Sequence, residues 1–223
     1  MLMIAATRLK DVLEDVVFVG GSITELYITD PASMDIRETK DVDVIIETLT
    51  YAEYINFADR LKSVGFQEDT RDGAPICRWV NQETTLDVMP IGEKILGFTN
   101  KWYSPAFVNF NRIELSSEVS IKLVKPEYFI ATKIEAFNGR GNNDYYASHD
   151  LEDIITLIDG RAELIEELSS AEAGVKKDVA AFFDKSLNDN AFMNALPGHL
   201  SSDVVGGGRI GILIERLRKI SSL

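Results

Sequence analysis

The chain has 223 residues, 45% hydrophobic and 26% charged, which is typical of a globular protein with a substantial core. Its formal net charge of −13 argues against non-specific binding to duplex nucleic acid, because phosphate contacts require a basic surface. A single cysteine, Cys77, excludes an internal disulfide, and since there is no cationic signal segment and no apolar run of about 18 residues, we expect a cytoplasmic protein without a membrane span.

The first segments predict a strand that ends in a diglycine turn. A helix is expected over Ile4–Glu14, a buried strand over Val16–Val19, and a short helix over Ser22–Tyr27 with Ser22 as its N-cap. Gly20-Gly21 lies between the last two. Free backbone amides at a helix N-terminus attract anions, so this turn predicts a phosphate site. The alternative is an ordinary strand-to-helix turn that needs glycine for its backbone conformation.

The next predicted strand carries two acids. A polar loop over Thr29–Lys40 leads into a strand over Asp41–Glu47. Strand side chains alternate, so Asp41 and Asp43 point to one face and the valines beside them to the other. The two carboxylates repel each other, and Mg²⁺ with its preference for oxygen ligands would offset that repulsion. The alternative is that both acids lie on the solvated face of an amphipathic strand.

A third acid follows a predicted helix. The helix covers Tyr51–Val64 and stops at Gly65, and a hairpin is expected from Ile76–Val80 and Thr84–Met89. Its second arm contains Asp87. On a strand beside that of the first two acids, Asp87 would complete a cluster able to hold two Mg²⁺ ions about 3.5–4 Å apart. Ser22 and the amides of the diglycine turn would then hold the β- and γ-phosphates.

The character of the sequence changes near Pro126. From Lys94 to Lys125 it is strand-like and turn-rich, whereas the rest is helical. Two domains are therefore predicted, 1–125 and 126–223, with an α+β fold in which a mixed sheet with flanking helices precedes a helical domain. The later helices are expected over Tyr128–Phe137, Leu151–Leu168, Ala171–Leu187 and Ile210–Ile220, with breaks at Asn138–Asp144 and Gly206–Gly208.

The helical part contains two pairs of charged residues with helical spacing. Lys133 and Arg140 are seven residues apart, nearly two turns, and would share a face that could meet triphosphate charge. Asp150 and Asp153 also share a face and could orient Lys133, a ribose or a base. The alternatives are a solvated basic face and an acid-rich first helical turn. The basic last helix either holds an acceptor or packs through Ile212, Leu213, Leu217 and Ile220, and we favour packing.

Taken in order, these features resemble the DNA-polymerase-β-like nucleotidyltransferase superfamily. The residues that carry the resemblance are Gly20-Gly21-Ser22, Asp41-Val42-Asp43 and Asp87. It implies a small palm domain in which Asp41 and Asp43 bind two Mg²⁺ ions, with Mn²⁺ as a substitute. It also implies Asp87 as a ligand of the catalytic metal and as the base for the incoming hydroxyl.

The sequence is more closely similar to the AbiEii-type toxin nucleotidyltransferases of bacterial type IV toxin-antitoxin systems. The matching segments are Arg37-x-Thr39-x-Asp41-Val42-Asp43, Lys133-Ile134-Glu135-Ala136 with Arg140, and His149-Asp150-Leu151-Glu152-Asp153-Ile154. The resemblance implies transfer of NMP from an NTP to RNA, such as a tRNA 3′ end, or to a protein, and an antitoxin partner. Eighteen residues separate Ser22 from Asp41, more than the usual spacing. Either Thr29–Glu38 is an insertion, which could select the acceptor, or the first turn is displaced.

Two other functions remain open on the sequence. A small-molecule nucleotidyltransferase of the antibiotic-modifying kind shares the palm and suits the acidic composition, since cationic aminoglycosides are attracted to acidic clefts. A non-catalytic nucleotide-binding module is the alternative from another class. A missing acid would favour it, yet all three acids are present.

Overall fold

A computed structural model describes residues 1–33, 36–141, 144–200 and 208–223. The described chain is α+β with a mixed seven-stranded sheet, which confirms the predicted fold class at that level. Its contacts divide it into two compact units. The first comprises Met1–Ile23 and Glu38–Lys125, and the second Thr24–Arg37 and Pro126–Leu223. That these units are a nucleotidyltransferase palm and its helical domain remains a prediction.

The first unit contains the sheet. Its strands are β1 (Val16–Val19), β2 (Val42–Ile46), β3 (Gln67–Glu68), β4 (Arg78–Val80), β5 (Thr85–Pro90), β6 (Phe110–Ser116) and β7 (Val119–Val124). They lie in the order β3-β4-β5-β2-β1-β7-β6. The pairs β2–β5 and β1–β7 are parallel, and the other neighbouring pairs are antiparallel.

The acid-bearing strands are central in this sheet. All four residues of β1 are buried, and β2 and β5 are buried along most of their length. Runs of apolar, mostly β-branched side chains fit strands that are covered on both faces. The prediction that the strand of Asp87 lies beside that of Asp43 is confirmed, because β2 and β5 are parallel neighbours.

Helices flank the sheet within the first unit. They are α1 (Leu2–Arg8), α2 (Tyr51–Ser63), α3 (Glu93–Leu96) and α4 (Tyr103–Val108), with a 3₁₀ helix at Lys10–Asp15. A further 3₁₀ helix, Gly21–Tyr27, crosses the division between the units. α2 begins with a reciprocal capping box between Thr50 and Glu53, and the chain leaves it through Gly65 at φ 91°.

The second unit is helical where the structure describes it. Its helices are α5 (Pro126–Arg140), α6 (His149–Gly160), α7 (Leu164–Ser170), α8 (Ala173–Leu187), α9 (Asn190–Ala195) and α10 (Arg209–Ser221), with a 3₁₀ helix at Leu196–His199. α10 packs through Leu213, Leu217 and Ile220, all fully buried, as predicted. Ile212, the fourth residue of the predicted packing face, is 45% exposed, so the prediction of its burial is wrong.

The segment before the acidic strand belongs to the helical unit. The carbonyl of Gly160 accepts hydrogen bonds from the backbone N–H groups of Thr29 and Asp30, at 2.9 and 3.0 Å. Arg209 donates from Nη1 to the Asp30 carboxylate at 2.7 Å. Residues far apart in sequence therefore hold this segment.

Two of the predicted helices have different limits. The helix predicted over Ile4–Glu14 is instead α1 followed by a 3₁₀ turn, which keeps Leu9 and Val12, three residues apart, both buried. The helix predicted over Leu151–Leu168 is broken at Arg161, whose guanidinium binds Glu167 and the carbonyl of Tyr27. The break expected over Asn138–Asp144 is wrong at its start, because α5 continues to Arg140. Residues 142–143 and 206–207 of the expected breaks lie outside the described residues.

The strand-like interpretation of Lys94–Lys125 is wrong in its first half. α3 and α4 are short helices, and α4 is secured by burial of Trp102 and Ala106, which are four residues apart. The second half forms the antiparallel strands β6 and β7. Short helices carry little periodic signal, so tertiary packing decides them.

Candidate functional site

Three charged residues form a row across three adjacent strands. Asp43 of β2 is in register with Asp87 of β5, and Asp87 is in register with Arg78 of β4. Directly opposed residues in a sheet project to the same face, so the row presents two carboxylates and a guanidinium side by side. Asp41 directly precedes β2. We call Asp41, Asp43, Asp87 and Arg78 the acidic row.

The diglycine turn is fitted to this row. Gly20 follows β1 with φ 76°, a conformation that favours glycine. A Cβ at Gly20 would lie 2.5 Å from Cγ of Asp43 and closer still to its Oδ2. The carboxylate of Asp43 therefore occupies the space that a side chain at residue 20 would need. Glycine is required here for two reasons, backbone conformation and close approach.

Ser22 lies two residues further on, in the 3₁₀ helix. Its Oγ is buried and makes no hydrogen bond within the described residues. The predicted N-cap hydrogen bond is thus not among those of the described chain. A buried hydroxyl without a partner costs free energy, so a ligand that satisfied it would gain from the contact.

Arg78 bridges two of the three acids. It donates from Nε and Nη2 to the two oxygens of Asp87, at 2.8 and 2.7 Å, and from Nη2 to Oδ2 of Asp41 at 2.8 Å. The Arg78 side chain is 24% exposed, that of Asp87 is 11% exposed, and that of Asp41 is 36% exposed. Hydrogen bonds to Asp87 raise the pKa of Arg78, against the opposing effect of burial, and the charges of both acids add to the rise.

The donor set suits a hard divalent cation by its chemistry, because all its oxygens are carboxylate oxygens. Its present arrangement serves Arg78 instead. Among the residues that the structure describes, no three acidic, cysteine or histidine side chains are placed to hold a metal ion together. The guanidinium lies between Asp41 and Asp87, where it supplies a positive charge.

The predicted helical residues form a second cluster, inside the second unit. α5 continues through Arg140, so Lys133 and Arg140 share a face as expected. Lys133 Nζ is 3.2 Å from Oδ1 of Asp150, and Arg140 binds both oxygens of the same carboxylate at 3.0 Å. Burial raises the pKa of Asp150, but hydrogen bonds and charges from Arg140 and Lys133 outweigh it, so the net shift of that pKa is downward.

Asp153 joins the same cluster. Lys133 Nζ is 2.6 Å from its Oδ2, and Arg37 Nη2 is 3.3 Å from its Oδ1. The Asp153 side chain is only 4% exposed. Arg37 also approaches Glu152, with Nε 3.2 Å from Oε2. We call these six residues the helical ion cluster: Lys133, Arg140, Arg37, Asp150, Asp153 and Glu152.

Two arginines of these clusters had no role in the sequence interpretation. Arg78 lies in the predicted hairpin arm Ile76–Val80, and the arm's pairing with the strand of Asp87 was the available signal for it. Arg37 stands in the segment that resembles the family's acid motif, but its contacts with Asp153 and Glu152 span more than 110 residues of sequence. Neither contact follows from local periodicity.

No protein-family model matches this sequence, and a search of curated proteins finds no match. Across residues 1–33, 36–141, 144–200 and 208–223, no helix combines the length and apolarity needed to cross a bilayer. The two family resemblances of the sequence therefore remain predictions.

Proposed function

We propose that this chain is a Mg²⁺-dependent nucleotidyltransferase that moves an NMP from an NTP to an acceptor hydroxyl. In this reaction a bond forms between the acceptor oxygen and the α-phosphorus. The bond from that phosphorus to the β-phosphate oxygen breaks, and pyrophosphate leaves. Such chemistry depends mainly on positioning and on charge stabilisation, which fixed carboxylates and backbone amides can provide.

The observation that carries the proposal is the fit between the diglycine turn and the paired acids. The Asp43 carboxylate occupies the space that a side chain at residue 20 would need. Asp43 also lies in register with Asp87 on the neighbouring parallel strand. An ordinary amphipathic strand would place its acids in solvent, whereas the Asp87 residue is 8% exposed in a central strand. A buried carboxylate is costly unless a cation pairs with it, and Arg78 supplies that pairing for Asp87 in the metal-free chain.

In this proposal each residue has a defined task. Asp41 and Asp43 would hold Mg²⁺, which supplies charge neutralisation on the triphosphate and lowers the pKa of the attacking hydroxyl. The amides of Gly21 and Ser22, with the buried Ser22 hydroxyl, would bind phosphate oxygens after rotation of the serine side chain. Asp87 would accept the acceptor's proton. Because both of its oxygens now bind Arg78, one of those hydrogen bonds must first be released.

The family resemblance assigns nucleotide binding to the residues of the helical unit. Lys133, Arg140, Asp150 and Asp153 form an ion cluster whose cations already contact carboxylates. Arg140 is the member best exposed to a nucleotide, since its side chain is 74% exposed. We propose that Arg140 exchanges Asp150 for phosphate, while Lys133 and Asp153 position it from within.

The acceptor that the resemblance favours is RNA or a protein, and the chain would then be a toxin neutralised by an antitoxin. If so, expression in a bacterial host should arrest growth, and the Asp41→Asn variant should not. Asp59→Asn, a change on the exposed surface of α2, is the matched control and should remain toxic. Continued growth on expression of the wild-type chain would instead favour a small-molecule acceptor.

One observation favours that second candidate. The net charge of −13 would attract a cationic acceptor such as an aminoglycoside and repel RNA. Both candidates use the same residues for nucleotidyl transfer, so the acceptor alone separates them.

The test is transfer of label from α-³²P-labelled NTPs in the presence of Mg²⁺, with total RNA in one arm and aminoglycosides in another. We expect label in one acceptor with the wild type and with Asp59→Asn. With Asp43→Asn the rate should fall at least about 10²-fold, the loss typical when a transition-state charge contact is removed. NTP binding without transfer to any acceptor would identify a non-catalytic module instead.

A further inference from the structure

Arg78 holds its two partner acids unequally. Asp87 receives two parallel hydrogen bonds from the guanidinium, whereas Asp41 receives one. The Asp87 side chain is 11% exposed and that of Asp41 is 36% exposed. A bidentate, shielded pair is stronger than a single contact near water. If Arg78 releases either acid, Asp41 is therefore the first.

The Arg78 guanidinium is positively charged, as a metal ion is, but it contacts the carboxylates by donating hydrogen bonds. Arginine stays protonated at every pH at which the protein would work, so its charge cannot be switched off by titration. Within the row, Asp41 and Asp87 both depend on the guanidinium of Arg78. Any divalent cation that entered would meet Arg78 already bound to three carboxylate oxygens of the row, one of Asp41 and two of Asp87.

On the basis of the proposed function, we propose that Arg78 is a counter-ion of the metal-free protein. It competes with the divalent cation for Asp41 and remains bound to Asp87. Metal loading then requires the contact between Arg78 and Asp41 to break while the fork between Arg78 and Asp87 persists. One bond of that fork opens only afterwards, when Asp87 accepts the acceptor's proton. In the metal-free state Arg78 prevents repulsion among the acids. It thereby sets the threshold concentration of divalent cation at which the site becomes competent.

The position of Arg78 on β4 makes this exchange feasible. Its backbone is fixed by antiparallel pairing with β5, so the guanidinium can release Asp41 without any change in the sheet. Asp41 lies just before β2, outside the strand ladder, and its side chain is more exposed than that of Asp87. The movement needs only side-chain rotation at the end of the row.

The test is calorimetric titration of the protein with MgCl₂ and with MnCl₂, without nucleotide. Arg78→Gln should bind the cation about tenfold more tightly than wild type, the change expected when one competing charge-assisted hydrogen bond is lost. Arg78→Lys retains the charge but loses the fork, and should tighten binding by a smaller factor, about threefold.

The control is Arg112→Gln. Arg112 on β6 also forms a two-bond pair, with Glu14, and its removal changes the net charge equally. β6 lies at the opposite edge of the sheet from β3 and β4. Its affinity for the cation should stay within about twofold of wild type, since an exposed charge so placed is screened by salt. If Arg78→Gln binds no more tightly than Arg112→Gln, or if neither binds the cation, the inference is wrong.

A second measurement uses the wild-type chain and does not depend on whether the variants fold. With ¹³C,¹⁵N-arginine labelling and through-bond assignment in the wild-type chain, the Nη–Hη resonances of Arg78, which include the donor to Asp41, should shift on addition of MgCl₂, while those of Arg112 should not. An unchanged Arg78 resonance at saturating cation would overturn the inference. Because neither measurement involves transfer, a chain with cation exchange but no transferase activity would reject the proposed function alone, and transfer without an effect of Arg78 would reject this inference alone.

Discussion

The acidic row of the first unit and the helical ion cluster of the second are built from the same groups but balanced differently. In the row, one guanidinium contacts two carboxylates. The cluster sets three carboxylates against three cations. Asp41 and Asp87 therefore share the guanidinium of Arg78, whereas Asp150 and Asp153 each contact two cations. A cluster of that kind stabilises the fold first and binds ligands only by exchanging partners.

The acidic row and the helical ion cluster also differ in what surrounds their acids. Asp41 and Asp87 also form ion pairs, with Arg78, and the feature that distinguishes the row is the close approach of Gly20 to the Asp43 carboxylate. Paired charges on helices have an ordinary structural purpose, and the observed contacts supply it. The comparison makes three predictions about stability, which follow from the largest expected effect to the smallest.

The largest effect is expected from removing the central cation of the helical ion cluster. Lys133→Met would leave Asp150 and Asp153, both largely buried, with fewer positive partners. We expect the free energy of unfolding to fall by about 3 kcal/mol, since breaking a buried pair costs far more than the pair contributes. Denaturant titration measures it.

The control for that change is Lys62→Met on α2, whose ammonium is exposed and pairs loosely with Asp59 at 3.5 Å. It should cost less than about 0.5 kcal/mol. Equal losses in the two variants would show that the helical ion cluster contributes no more to stability than a surface pair.

An intermediate effect is expected at the glycine beside Asp43. Gly20→Ala and Gly73→Ala both place alanine at positive φ, 76° and 79°, which costs about 1 kcal/mol each. Only at Gly20 would the new Cβ meet another group, the Asp43 carboxylate. Thermal and denaturant unfolding should therefore show an additional loss of about 1–2 kcal/mol for Gly20→Ala.

Gly73→Ala serves as its matched control, because nothing lies within 4 Å of its Cβ position. The Gly20 variant should in addition bind Mn²⁺ more weakly, since Asp43 must move. The same loss of stability in both variants, with unchanged Mn²⁺ affinity, would contradict the close approach of turn and acid.

The smallest effect on stability is expected at acidic pH, from protonation of Asp150. The pKa of Asp150 is lowered in the folded state relative to an unfolded value of about 3.9. Its stabilising contribution is therefore complete above about pH 4 and is lost as the pH falls through the folded pKa. Between pH 5 and pH 2 the wild type should lose free energy of unfolding more steeply than Asp150→Asn. Parallel profiles would contradict the assigned pairing with Arg140 and Lys133.

Local patterns predicted the parts of the fold that depend on local chemistry. Alternation in Thr84–Met89 and in Asp41–Glu47 was sufficient to predict two strands. The predicted hairpin also placed Asp87 on a strand, which the structure shows beside β2. The capped helix α2 followed equally from its sequence. In each of these elements the periodic pattern of apolar residues is long enough to identify the secondary structure.

Other parts depend on contacts that no local pattern contains. Arg78 bridges acids that belong to two other strands, and its role appears only when the register of β4, β5 and β2 is known. Thr29 and Asp30 belong with the helical unit because Gly160 and Arg209 bind them from more than 100 residues away. The division of the chain at residues 24–37 was for this reason not predictable from the change near Pro126.

The central claim is that the acidic row performs nucleotidyl transfer, and a comparison of NTP labelled at the α- or at the γ-phosphate tests it most directly. With α-³²P in one sample and γ-³²P in another, the α label should appear in the acceptor and the γ label in pyrophosphate in equal amounts. Both products should disappear in Asp43→Asn and persist in Asp59→Asn. Release of inorganic phosphate in place of pyrophosphate, or equal product from Asp43→Asn and wild type, would contradict the account.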